Sequence, residues 1–137
     1  YSAEEQAFAE RIRETLGRVS RPLGSERQIQ PFQERQGMGS SDVGDVSWAV
    51  PTAGLRTATW VPGTASHTWQ AVAAGGTEIG IKGMLLAAKV LATTALDVFN
   101  DPSVVEEARR EWQERLGPDF QYEALLGDRN PPLDYRK

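Results

Sequence analysis

Gly75-Gly76-Thr77-Glu78-Ile79-Gly80-Ile81-Lys82-Gly83-Met84-Leu85-Leu86-Ala87-Ala88-Lys89-Val90 is the stretch from which the rest of the chain is best read. Two glycines break whatever precedes them, and Thr77 is placed to cap a helix running from about Glu78 to Phe99. That helix is apolar nearly all round, so it is expected to be covered on most sides. Gly80, Gly83 and Ala87 make one side thin, which suits close approach to another backbone or a sheet. Lys82, Lys89 and Asp97 interrupt the apolar run, and with them it reads as a buried helix rather than a membrane span.

Upstream, Leu55-Arg56-Thr57-Ala58-Thr59-Trp60-Val61 is rich in β-branched and aromatic residues and is the best strand candidate, stopped by Pro62-Gly63. A second, shorter strand is expected within Gln28–Gln33, confined to an edge by Pro31. Ser2 followed by Glu5 is a capping box, and Phe8, Ile12, Leu16 and Val19 recur at helical spacing, so a helix is expected from Ala3 to Leu16. Asp42–Val50 is expected to be a short helix capped by Ser41 or Asp42, and Thr68–Ala74 a helical turn. Asn100 or Asp101 caps a last helix with Pro102 in its first turn. Val105, Ala108, Trp112 and Leu116 line that helix's inner stripe, and Glu106–Arg110 and Glu111–Arg115 are spaced to pair on its outer side. Gly117-Pro118 ends it, and the tail is expected to be irregular.

The 137 residues suffice for one segment of ordinary domain size, without repeats or low-complexity tracts. Hydrophobic residues at 39% and charged residues at 25% describe a folded, soluble chain. A formal net charge of −4 argues against a nucleic-acid partner and against a polybasic membrane surface. With no cysteine there is no disulfide framework, thiolate metal site or thiol nucleophile, and a reducing, cytoplasmic location fits. The start, Tyr1-Ser2-Ala3-Glu4-Glu5, has no signal-peptide character and no initiator methionine, so the chain is read as part of a longer protein.

Two runs are not needed to build a core: Met38-Gly39-Ser40-Ser41-Asp42-Val43-Gly44-Asp45 and Pro62-Gly63-Thr64-Ala65-Ser66-His67-Thr68-Trp69-Gln70. The second holds the chain's one histidine, on a loop just ahead of a helix. A lone loop histidine is more often ordinary than functional, but neutral imidazole is the commonest metal ligand and the Gly/Pro/Ser approach leaves room for one. Zinc takes three or four protein ligands, so His67, even with Asp42 or Asp45, does not complete a catalytic metal site. Gly39-Ser40-Ser41-Asp42 reads equally as a helix cap or as an anion site. Asp42 and Asp45 are better read as capping and solvated groups than as an acid/base pair. A triad from Ser40 or Ser47 with His67 and Asp42 is disfavoured, because the Gly-x-Ser-x-Gly elbow is missing. The tryptophans are packing residues, except that Trp69, two residues from His67, is placed to wall an aromatic substrate.

Gly39–Trp48, His67-Thr68-Trp69-Gln70, Ala73-Ala74-Gly75-Gly76 and Lys82-Gly83-Met84 together resemble the dinuclear-metal amidohydrolases and carboxypeptidases related to aminoacylase and hippurate hydrolase, in their aminobenzoyl-glutamate utilization branch. The match is closest from Met38 to Leu116. Thr68-Trp69 stands where hippurate-hydrolase relatives carry Ser-Pro, which favours that branch. The resemblance implies an α/β fold: the C-terminal part of a three-layer α/β zinc-peptidase-like catalytic domain, helix-rich with few strands. Residues 1–137 would be a single segment, without the family's lid domain and N-terminal half. His67 would be one ligand of a zinc or manganese site, and Gly39, Ser40, Ser41 and Trp69 would lie along the substrate. No catalytic residue falls in this chain, since the family's His-x-Asp pair and catalytic Glu belong to the N-terminal half. The implied partners are that N-terminal remainder and a small N-acyl amino acid such as aminobenzoyl-glutamate, with a homo-oligomer compatible with the family's dimerising lid. The chain alone would be inactive. The alternative is a non-enzymatic binding or assembly module derived from the same fold.

Overall fold

The structure, a computed structural model, describes residues 1–19, 21–34, 39 and 41–134. The contacts divide the chain into two compact units, Tyr1–Gln36 with Gly54–Phe99, and Gly37–Ala53 with Asn100–Lys137.

In the first unit, α1 (Ala3–Glu14) starts on the expected capping box. Ser2 Oγ accepts from the Glu5 amide at 3.2 Å, and the Glu5 carboxylate accepts from the Ser2 amide at 2.5 Å. The helix buries Glu5, Ala9 and Ile12 and ends two residues before the expected Leu16. A single 3-10 turn, Ser25–Arg27, follows. The chain returns at Gly54 and runs to Pro62-Gly63, where the Thr64 amide closes a turn on the Val61 carbonyl at 3.1 Å. Next come α3 (Trp69–Gly75) and α4 (Glu78–Asn100). Ala9, Ile12, Val61, Ala74 and Ile79 form the buried cluster, with Tyr1, Phe8, Leu23 and Ala73 against it. Burial, and then the charges of Glu26 and Glu5, push the Tyr1 phenol up to about 12.

The thin side of α4 does what its glycines imply. A β-carbon on Gly83 would stand 2.5 Å from the Ala58 carbonyl oxygen and 2.8 Å from Thr59 Cγ2, and one on Gly80 would collide with the backbone of Gly75. Lys82, between them, ties the helix to α1: its Nζ donates to Glu5 Oε1 at 2.6 Å. Thr77 stands at the expected cap position, its carbonyl accepting from the Ile81 amide at 3.1 Å, while its hydroxyl donates back to Ala74 O at 2.6 Å. α4 is also not covered as expected. Only Ile79, Gly80 and Gly83 are buried, while Met84, Leu85, Leu86, Leu91, Leu96 and Phe99 stand exposed. By length and composition α4 is apolar enough to cross a membrane. Its first turns are instead fixed by backbone contact and an ion pair, which are packing features.

Neither expected strand forms. Residues 28–34 are irregular, and Leu55–Val61 is neither helix nor ladder, making no backbone pairing among the described residues. The described residues are therefore helical with no strand, against the expectation of a few.

In the second unit, α2 (Val43–Ala49) and α5 (Pro102–Leu116) are the helices. Asp101 caps α5, its carboxylate accepting from the Ser103 amide at 3.0 Å and the Ser103 hydroxyl at 2.6 Å. These bonds hold the Asp101 carboxyl below its ordinary range. The expected stripe is only half realised: Ala108, Trp112 and Leu116 are half-buried and Val105 is exposed. Trp112 Nε1 donates to Ser47 O at 2.8 Å, and Trp48 stacks on Phe120 with centroids 4.9 Å apart. Of the two expected pairs on the outer side, Glu111–Arg115 closes at 2.6 Å.

Two outcomes test this packing. Gly83→Ala should cost about 1–3 kcal/mol in urea unfolding, since the added carbon must displace the Ala58 carbonyl. Gly44→Ala in α2 meets nothing within 4 Å and should stabilise by up to about 1 kcal/mol; equal effects would show that the close approach is not real. The second outcome concerns pH. The hydrogen bond from Lys82, and then that from the Ser2 amide, lower the Glu5 carboxyl below its ordinary range. A lowered folded value means that the stabilisation is complete above the unfolded value of about 4.3 and is lost as pH falls through the folded one. Glu5→Gln should flatten that part of the acid limb; superimposable slopes would show that the pair does not contribute.

Candidate functional site

Local sequence explains the geometry of the histidine loop. After the Pro62-Gly63 turn the chain reaches Ser66-His67 in a turn, and His67 adopts φ 60°. It is the one non-glycine residue with positive φ among the described residues. Histidine, like Asn and Asp, tolerates this left-handed region better than most residues, whereas a β-branched residue there would be a genuine outlier. The imidazole is exposed and makes no hydrogen bond or ion pair among the described residues.

Thr68 holds the loop in this shape. Its hydroxyl donates to Ala65 O at 2.8 Å and accepts from the Ala71 amide at 3.3 Å. One side chain thus ties the backbone before His67 to the first turn of α3 after it. Sequence reasoning placed Thr68 inside a helical turn and missed this role, although threonine immediately before a helical run is an N-cap signal. Gln70 anchors the other side: buried, it reaches across to Thr15 at the end of α1, 3.2 Å from Oγ1. Trp69, the first residue of α3, is 60% exposed two positions from His67. The Thr64 hydroxyl, at the start of the same loop, is buried without a hydrogen-bond partner among the described residues.

Gly39 and Ser41 belong to the other unit, both exposed and outside helix, and Ser40 lies outside the described residues. Asp42 is the N-cap residue of α2, but its side chain makes no capping bond. Asp45 is engaged elsewhere: its carboxylate accepts from the Tyr122 hydroxyl at 2.8 Å, a hydrogen bond that raises the Tyr122 pKa. No sequence signal links these two residues, which lie 77 positions apart. Ser47 Oγ donates to Gly44 O at 2.6 Å, a bond within its own helix that does not activate a nucleophile.

A hydrolytic zinc needs about three protein ligands. Among the described residues no group of three or more His, Cys, Asp or Glu could hold a metal ion. The chain offers one open imidazole, which fits the donation of a single ligand and not a complete site.

Comparison with known proteins finds two relatives. The chain is 40% identical over 111 residues to a p-aminobenzoyl-glutamate hydrolase subunit of Escherichia coli strain K12, a match covering 80% of this chain and 21% of that protein. It is 38% identical over 79 residues to Xaa-Arg dipeptidase of Mus musculus, covering 57% of this chain and 18% of that one. The chain spans about a fifth of the length of these curated relatives. No family model matches, and no solved structure matches.

Replacing Thr68 separates its cap from its neighbours. Thr68→Ala should lose about 1 kcal/mol of stability by urea unfolding, the ordinary worth of an N-cap, and Thr68→Ser should restore most of it. A harmless alanine would remove the hydroxyl from this account.

Proposed function

Because the chain belongs to the amidohydrolase and peptidase family of these two relatives, we propose that it is the ligand-bearing C-terminal segment of a metal-dependent amidohydrolase. The reaction is cleavage of the amide bond of N-acyl amino acids such as aminobenzoyl-glutamate. The observation that carries this is the 40% identity over 80% of the chain. A match of that length within 137 residues necessarily includes both the glycine-serine run and the histidine loop.

His67 donates one ligand to zinc or manganese. Its exposed imidazole, without a hydrogen-bond or ion-pair partner among the described residues, supports that role. Bound there with ligands from elsewhere, such a metal would polarise the amide carbonyl and make water nucleophilic near neutral pH. This chain's own residues position and bind. The left-handed turn at His67 and the Thr68 hydroxyl set the backbone from which the imidazole projects. Trp69 offers an aromatic face to the acyl group, and Gly39, Ser40 and Ser41 offer small, polar wall positions. The water-activating carboxylate and the other ligands come from the N-terminal remainder of the enzyme, within a three-layer α/β domain, so this chain alone is inactive.

The test is metal content and amide hydrolysis, measured together on the full-length gene product. His67→Ala should lower bound metal by at least about tenfold and hydrolysis with it. Retention of both would refute the ligand role.

A further inference from the structure

The histidine loop is fastened on both sides of His67 to one short stretch, Thr15–Val19, which begins where α1 ends. Upstream of His67 the fastening is steric. Gly63 adopts φ 94°, and a β-carbon there would stand 2.8 Å from Val19 Cγ1 and 3.6 Å from Leu16 Cδ1. Leu16, Val19 and Gly63 are all half-buried. Downstream of His67 the fastening is polar. Gln70 is buried, and its Nε2 donates to Thr15 Oγ1 at 3.2 Å and lies 3.5 Å from Thr15 O.

The Thr15 side of that bond is itself fixed. Its hydroxyl has one proton to give and donates it to the Ile12 carbonyl at 2.7 Å, so toward Gln70 it acts as an acceptor. Ile12 belongs to the buried cluster, and α1 is held near its start by Glu5 and Lys82. With both of its sides fastened to the same stretch, the loop moves only as Thr15–Val19 moves. Metal sites are sensitive to such support: a ligand has to be held within about 0.5 Å of its working position by residues that do not themselves bind the metal. Loss of one such supporting residue typically weakens metal binding by about ten- to a hundredfold.

We propose that Gln70 and Thr15 are positioning residues for the metal site: their hydrogen bond, with the contact of Gly63 on Val19, makes the end of α1 the mount on which the His67 loop is set. Neither residue is a ligand in this role; both act through the place of His67. The proposal rests on the reading of His67 as a metal ligand. It adds the source of that ligand's position, a helix end 55 residues before Gln70.

The experiment is zinc titration of the metal-stripped, full-length gene product in competition with a chromophoric chelator. Gln70→Leu removes the amide at similar volume, and Thr15→Val removes the hydroxyl at an exposed position. Each should weaken zinc binding by about tenfold. The double variant should bind no more weakly than the weaker single one, because both singles break the same bond. Thr15→Ser keeps the hydroxyl and should stay within about twofold of the unsubstituted protein. Asp101→Ala removes the cap of α5 in the other unit and should leave zinc affinity unchanged. An equal loss in Asp101→Ala overturns the proposal, since the effect would then be one of general stability. Unchanged affinity in Gln70→Leu and Thr15→Val, with zinc lost in His67→Ala, overturns it too and leaves the ligand role intact. Zinc retained in His67→Ala removes the ligand role and this proposal together. Should Gln70→Leu not fold, Thr15→Val against Thr15→Ser decides the matter alone.

Discussion

The first unit depends on how closely α4 approaches the backbone beside it. Helices that meet other elements through side chains keep their axes 8–10 Å away. Here Gly80 and Gly83 remove that spacing, and peptide backbone meets helix at Gly75 and again at Ala58. The consequences spread from there. Val61 enters the core beside Ile79, the Pro62-Gly63 turn has a fixed origin, and the histidine loop leaves from a held point rather than a free one. Lys82 lies between the two glycines and adds the tie to Glu5, so the same two turns of helix also locate α1.

The second unit is closed differently. Its contacts are single polar and aromatic links over long sequence separations: Trp112 to Ser47, Tyr122 to Asp45, and Trp48 against Phe120. None of its helices buries a residue fully. Here shape comes from directional bonds made by side chains that keep much of their exposure. Asp45, an acid/base candidate on spacing alone, is an acceptor in that scheme.

Local signals were legible in the sequence. The capping box at Ser2 and Glu5, the Asp101-Pro102 start and the Gly117 stop all depend on residues within one turn of each other, and the helices begin and end near them. Periodicity was legible as well, but not what it faces. The apolar circumference of α4 marks a surface that wants cover, and the described residues leave most of it exposed. At the site, the exposure and loop placement of His67 could be read from its Gly, Pro and Ser neighbours. The bracing by Thr68 and the bond from Gln70 to Thr15 could not, because they depend on a turn conformation and on a contact 55 residues away. The position of Ser40 lies outside the described residues.

The left-handed backbone at His67 also acts as a filter on substitution. Four residue types commonly bind zinc: His, Cys, Asp and Glu. Of these, His and Asp are the ones enriched at positive φ, while the longer Glu gains nothing there. A loop held at φ 60° therefore narrows the ligand chemistry open to this position before any metal is present. Drift toward glycine or asparagine would suit the backbone and discard the imidazole, so the fold would survive changes that remove the proposed ligand.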